Sequence, residues 1–170
     1  VGAKDLILDF SEYDLNHVIA DVDEIRRLNQ QRFEMEQLTA VCFEDFDRKI
    51  AVGYKDHGHD AFWARGHMPG MPLLPGVLIC EAAAQLCSYQ SRKYKLLGDT
   101  VLGFGGMDEV RFRNVVLPGS RLVIVAQLTK LRPNALVVCR FQAFVNQSIV
   151  GEGQIIGVPL PVERLKEASV

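Results

Sequence analysis

The stretch Gly66-His67-Met68-Pro69-Gly70-Met71-Pro72-Leu73-Leu74-Pro75-Gly76, running directly into Val77-Leu78-Ile79-Cys80-Glu81-Ala82-Ala83-Ala84-Gln85-Leu86, constrains this chain more than any other. Prolines at 69, 72 and 75 fix φ at every third position and hold each preceding residue extended, so the segment is a stiff loop that a helix can follow but not invade. His67 therefore sits on a rigid mount. From Val77 onward the residues are small or good helix formers and are apolar on nearly every face. Such a helix must be enclosed by the rest of the fold. The spacing predicts a helix from about 76 to 95, ended by Gly98-Asp99.

Glu81 interrupts this apolar run, and a carboxylate inside an enclosed helix needs a partner or a purpose. Two readings follow from the residues. Glu81, Gln85, Ser88 and Arg92 recur at helical spacing, so they form one polar stripe in which Gln85 or Arg92 can satisfy Glu81 without chemistry. Alternatively Glu81 works with His67, fourteen positions earlier, as an acid and base pair.

Around this centre the pattern is β-type. Short runs at 38–44 and 49–55 flank Asp45-Phe46-Asp47-Arg48, a hairpin turn composition. Four further strands are predicted at 101–114, 120–132, 136–147 and 149–158, with Pro159 and Pro161 ending the sheet. Before them, Asp21 or Asp23 is placed to cap a short helix through Leu28. Gly103-Phe104-Gly105-Gly106 lacks the Gly-Lys-Ser/Thr ending of a phosphate loop, so a bulge within a strand is expected there. One apolar helix followed by a long antiparallel sheet is an α+β layout, with the sheet curled around the helix. The length of 170 residues fits one domain, divided as an N-terminal extension 1–24, a main body 25–161 and a tail 162–170.

Charge and cysteine content narrow the function classes. A net charge of −2 argues against nonspecific nucleic-acid binding. The acidic start is unlike a signal peptide, and no segment approaches the roughly 18 apolar residues of a membrane span. Cys42, Cys80, Cys87 and Cys139 are scattered and read as reduced packing residues, Cys80 included, in a cytoplasmic protein. His57 and His59 could share a strand face with two metal-ligand nitrogens, yet Asp56-His57-Gly58-His59-Asp60 also suits a solvated loop, and no metal is expected. Arg92, Lys93, Arg111 and Arg113 belong to a basic stretch between 92 and 140. It reads either as solvated strand faces or as a docking surface for an acidic partner.

The run His-x-Pro-Gly-x-Pro-x-x-Pro-Gly-Val-Leu-Ile-x-Glu-Ala-x-Ala-Gln, from His67 to Gln85, resembles the signature of the (3R)-hydroxyacyl-acyl-carrier-protein dehydratases of fatty acid synthesis. Phe62-Trp63-Ala64-Arg65-Gly66 and Val110-Arg111-Phe112-Arg113-Asn114-Val115-Val116-Leu117-Pro118-Gly119 extend the likeness, which covers about 25 to 158. Glutamate at 81 is closer to the dehydratase-only branch. Gln30-Gln31-Arg32 departs from the family's Pro-His-Arg.

The resemblance implies a hot-dog fold, no cofactor, and an acyl carrier protein bearing a 3-hydroxyacyl chain as partner. It further implies a homodimer whose sites join the histidine of one chain to the acidic residue of the other, and a trimer of dimers beyond that. His67, as a neutral imidazole, would take the α-proton. Gly76, opening the helix, would offer its N–H to the thioester oxygen. Glu81 would protonate the departing hydroxyl, a role that needs enclosure by Val77, Leu78, Ala82 and the acyl chain to favour the neutral carboxyl over the helix dipole. Phe62, Trp63, Met68, Pro75, Val77 and Gln85 are expected to border the acyl tunnel. A hot-dog thioesterase and a non-catalytic carrier-binding homologue are the alternatives.

Overall fold

Helix formation by the run after Pro75 dictates the architecture. In the computed structural model, which describes residues 6–98, 100–161 and 167, helix α2 spans Gly76–Lys93. Ten of its side chains are buried, among them Ile79, Ala82, Ala83, Leu86 and Tyr89. Arg92 and Lys93 occupy its last turn, where cations complement the dipole. A short helix α1, Val22–Leu28, precedes it, capped by Asp21, whose side chain accepts from the backbone N–H of Asp23 and Glu24.

The sheet comprises β1 (Ala40–Asp45), β2 (Ile50–Asp56), β3 (Val101–Phe112), β4 (Arg121–Arg132), β5 (Leu136–Val145) and β6 (Ser148–Leu160). All pairings are antiparallel, and the order is β1-β2-β4-β5-β6-β3. The helix thus connects two strands at opposite sides of the sheet, and its apolar surface lies against the strands between them. Ile124, Ala126, Phe141 and Ala143 alternate toward it in one core with Leu86 and Tyr89. Period-2 alternation puts Val123, Val125 and Phe144 on the other face. The expected α+β layout is present.

Gly53 of β2 lets helix and sheet approach closely. A Cβ there would lie 3.1 Å from the Ala40 carbonyl oxygen and 3.2 Å from Leu86 Cδ1. Leu86, fully buried, rests on that gap.

The sequence segment 6–20 supplies a second layer. Leu8 is buried, and Phe10 meets Phe144 edge-on at 5.1 Å, so these residues cover the sheet face turned away from α2. Ile7 donates its N–H to Gln142 Oε1 at 2.9 Å, and Ala20 bridges Val41 of β1. Helix α1 runs across position 24, so extension and body are continuous at that point. Nearly all of the expected tail 162–170 lies outside the described residues.

Among the strand ends that differ from the sequence expectation, two have a clear local cause. β5 stops at Val145 because Asn146 and Gln147 both take positive φ, 49° and 62°, forming the tight turn that a right-handed hairpin twist favours. β6 continues through Pro159, which pairs with Leu102, instead of ending before it. Proline is tolerated there because the β5 ladder has already ended at Val137 opposite Gly157, so only β3 flanks this part of β6. The bulge expected at Gly103–Gly106 is present as a register shift between Phe104 and Gly106.

Truncating the side chain that seats the helix on the sheet tests this packing. Leu86→Ala is expected to destabilise the protein by about 2–5 kcal/mol, read as a lowered urea midpoint with an unchanged slope.

Candidate active site

Glu81 lies on the second turn of α2 and is partly buried. Its Oε1 accepts from Gln85 Nε2 at 2.7 Å and from Gln31 Nε2 at 3.4 Å, while Oε2 has no protein donor among the described residues. Gln85 is itself locked. Its Oε1 accepts the Gln37 N–H at 2.8 Å, and its Nε2 also donates to the Met35 carbonyl at 2.6 Å. With the oxygen committed to Gln37, the amide must present its nitrogen to Glu81. Gln85, expected to border a tunnel, is only 2% exposed, and its amide orients the carboxylate. Of the polar stripe, Gln85 meets Glu81, and one carboxylate oxygen is left without a protein donor among the described residues.

That carboxylate opens into a slot of about 60 Å³ between α2 and the sheet, lined with Gln31 and Ser88 at its polar side and Ala84, Cys87, Leu102 and Val137 among its apolar walls. Helical spacing explains the α2 contribution: Ala84 and Ser88 follow Glu81 at three and seven positions on the same face. Sequence reasoning missed these lining residues. Gln31 carried one signal, since it stands where the family pattern has histidine. The strand residues Leu102, Val137, Cys139 and Ile155 carried none, because each looks like ordinary core.

His67 does not line the slot. Its Nδ1 stands 2.8 Å from the Leu73 carbonyl oxygen, and its backbone N–H donates to Trp63 O. A carbonyl can only accept, so in the neutral ring Nδ1 carries the proton and Nε2 keeps the lone pair, the form a base requires. The proline-rich loop holds this geometry: Leu73 N–H returns to the His67 carbonyl at 2.9 Å, and Leu74 N–H is anchored to Val116 at 2.8 Å. Gly76 begins α2 after Pro75, which provides no side-chain cap, so the first-turn N–H groups have no preceding carbonyl of the helix to meet. The ring of Phe112 occupies the position of the missing side chain at Gly76, with Cε2 and Cζ each 2.7 Å from where a Cβ would be.

The remaining expected tunnel residues are dispersed. Trp63 is buried edge-on against His57, centroids 5.6 Å apart. Phe62, Met68 and Val77 are exposed on the single chain, and Pro75 is half-buried. None of them lines the slot. The four expected docking cations also separate. Phe112, between Arg111 and Arg113, rests on the first residue of α2, whereas Arg92 and Lys93 close that helix roughly 24 Å further along its axis. Lys93 pairs with Glu44, and Arg113 with Glu152 at 2.6 Å. On one protomer they are not a single patch.

Burial pushes the Cys80 thiol up to about 11, which leaves a packing residue with no thiolate to attack with. His57, whose Nε2 has no hydrogen-bond partner among the described residues, is pulled down to about 4, first by desolvation and then by Lys55. His59 packs its ring over Gly119.

The sequence matches the FabA-like domain family over residues 29–154. This chain belongs to that family. Among FabA-like relatives, the 3-hydroxyacyl-[acyl-carrier-protein] dehydratase FabZ of Pelotomaculum thermopropionicum is 32% identical over 136 residues, 80% of this chain and 96% of the relative. FabZ of Clostridioides difficile is 30% identical over 136 residues, 80% of this chain and 94% of its own length. Among solved structures, the dehydratase heterocomplex ApeI:P from Xenorhabdus doucetiae superimposes with a TM-score of 0.69 at 17% identity, covering 85% of this chain and 95% of that one. The virulence protein Cj0977 from Campylobacter jejuni gives 0.62 at 13%, covering 84% and 94%. These likenesses agree with the hot-dog fold implied by the signature.

Two measurements probe this environment. Gln85→Leu leaves the Gln37 N–H and Met35 carbonyl unpaired and should cost at least about 2 kcal/mol in urea unfolding. His57 binds a proton more readily unfolded, near 6.5, than folded, near 4. Its stabilising contribution is therefore complete above pH 6.5 and lost as pH falls toward 4, by about 3 kcal/mol at most. Unfolding midpoints of wild type and His57→Leu across that range should show this component disappearing in the variant.

Proposed function

We propose that this protein dehydrates 3-hydroxyacyl thioesters carried on acyl carrier protein to trans-2-enoyl thioesters in fatty acid biosynthesis, with His67 as base and Glu81 as acid. The observation that carries this reading is the pair of prepared groups within a FabA-like chain: an imidazole whose Nδ1 is held by a carbonyl, and a carboxylate held through one oxygen at the mouth of a slot.

The reaction follows from these groups. Nε2 of His67 removes the proton from C2, helped by negative charge moving onto the thioester oxygen. The Gly76 N–H, at the positive end of an 18-residue helix, stabilises that charge. The electron pair forms the C2–C3 double bond, the C3–O bond breaks, and Glu81 donates a proton through its free oxygen so that water leaves. Returning the proton from His67 to Glu81 completes the cycle. The four cysteines, all free and buried, suit a reducing cytoplasm. No described helix is long and apolar enough to cross a membrane.

The working unit in this reading is a homodimer that unites His67 of one chain with Glu81 of the other. The absence of His67 from the slot of its own chain supports this. So does the edge strand β3, whose Phe104, Met107 and Phe112 are about half exposed, since a long apolar edge is a template for a second copy. Arg111 and Arg113, beside the start of α2, are the cations of the expected docking set that would meet the carrier protein.

Hydration of a trans-2-enoyl thioester, the reverse reaction, is the test, followed by loss of the conjugated absorbance. His67→Ala and Glu81→Ala should each lower kcat by about 10²–10⁴. Mixing the two dead variants by unfolding and refolding should restore about a quarter of the wild-type activity, because half the dimers are mixed and each carries one intact site. Activity that survives both substitutions would falsify the residue assignment, and no recovery on mixing would place both groups in one chain.

A further inference from the structure

Half of the Gln31 side-chain amide has no partner in the protein. Its Nε2 donates to Glu81 Oε1 at 3.4 Å, so the nitrogen is the end turned toward the carboxyl group and the carbonyl oxygen is the other. Covalent geometry puts that oxygen about 2.3 Å from the nitrogen, beside Glu81. Gln31 lines the slot, and its Oε1 meets no protein donor among the described residues.

The loop that carries this amide is tied down on both sides of it. Asn29 Nδ2 donates to the Gln85 backbone carbonyl at 2.9 Å, which fastens the residue after α1 to α2 one turn beyond Glu81. Arg32 Nη1 donates to the carbonyls of Asn29 and Gln31 at 2.9 and 2.6 Å, and its Nη2 to that of Arg26 at 3.0 Å. One guanidinium thus gathers three carbonyls around position 31. These contacts join α1, the loop after it and α2 within one chain, and none involves the edge strand β3.

We propose that Gln31 Oε1 accepts the hydrogen of the substrate's 3-hydroxyl while Glu81 Oε2 donates to the same oxygen, so that Gln31 aims the leaving group at the acid. The proposal rests on the dehydratase reading and adds a substrate-binding residue to it. A hydroxyl has one hydrogen to place as well as lone pairs to protonate. Of the nearby polar side chains, Gln85 is fully committed to Gln37, Met35 and Glu81. Ser88 lies seven positions along α2, roughly 10 Å from Glu81 by helix rise. When the C3–O bond breaks, the oxygen leaves as water, with the proton from Glu81 and its own hydrogen still bonded to Gln31. In hydration the two hydrogens of water face Gln31 Oε1 and the ionised Glu81, which leaves a lone pair for C3.

The experiment follows hydration of trans-2-hexenoyl coenzyme A by the full-length protein and measures competitive inhibition by 3-hydroxyhexanoyl and hexanoyl coenzyme A, which differ only in the hydroxyl. Gln31→Met should weaken inhibition by the hydroxy compound about three- to tenfold relative to the saturated one. It should lower kcat about tenfold, with KM for the enoyl substrate, which has no hydroxyl, within about twofold. Gln31→Asn keeps the amide and withdraws it by one methylene, so it should move the inhibition ratio in the same direction. Thermal melts identify a variant that has lost the fold, and the other then decides. A merely structural role for Gln31 would weaken both inhibitors alike, and a ratio unmoved in the folded variants, or moved by Ser88→Ala instead, would overturn the proposal while leaving the dehydratase reading intact. No hydration by the wild type would overturn that reading and this role together.

Discussion

Enclosure of α2 by the sheet is the constraint on which everything else depends. A helix apolar on nearly all faces cannot remain in water, and a sheet that curls around it buries Ile79, Ala82, Ala83 and Leu86 at once. The approach is set by the absence of a side chain at Gly53 and by the fit of Leu86 over it. Because strand side chains alternate, the same strands that close on the helix present a second apolar row outward. The segment 6–20 covers that row with Leu8 and Phe10. A solvent-facing sheet surface is thereby turned into a second core.

Burying the helix also creates the electrostatic problem that the site exploits. Glu81 is carried into the interior by its neighbours, and Gln85 and Gln31 satisfy one oxygen only. The buried amide of Gln85 has no freedom to do otherwise, since Gln37 and Met35 hold its two ends. One carboxylate oxygen is thus left without a protein donor among the described residues, beside a small slot lined by Gln31 and Ser88 as well as by apolar side chains, in an environment where each polar contact counts for more than it would in water. On the other side of the helix N-terminus, the proline loop fixes His67 through Leu73. Rigidity comes from different sources at the two groups: side-chain hydrogen bonds for the acid, backbone restriction for the base.

Much of this was legible from residue order. The strands, their turns and α2 followed from periodicity and from glycine and proline placement, and the errors fell at ends. Pro159 was read as a terminator although neighbouring strands decide whether its missing N–H matters, and Asn146-Gln147 made a turn without the glycine that usually announces one. His67, Gly76 and Glu81 stood out because each breaks the character of its surroundings. The slot did not. Ala84, Cys87, Val137 and Cys139 are ordinary core residues by type, and only the gap between helix and sheet makes them walls. Gln85 was visible as a polar residue on the right helix face, but whether it bordered substrate or held Glu81 depended on residues 35–37, some fifty positions away.

The sequence by itself determined the local conformations: a stiff loop, an apolar helix with one carboxylate, antiparallel strands, and membership of the FabA-like family through a motif of closely spaced positions. These are short-range matters, governed by φ restriction, helical spacing and side-chain alternation. Tertiary structure alone decided which oxygen of Glu81 is free, how large the slot is, and that the four expected docking cations lie at two ends of a helix. Those properties arise from contacts between segments far apart in the chain, where packing geometry, and not residue type, sets the distances.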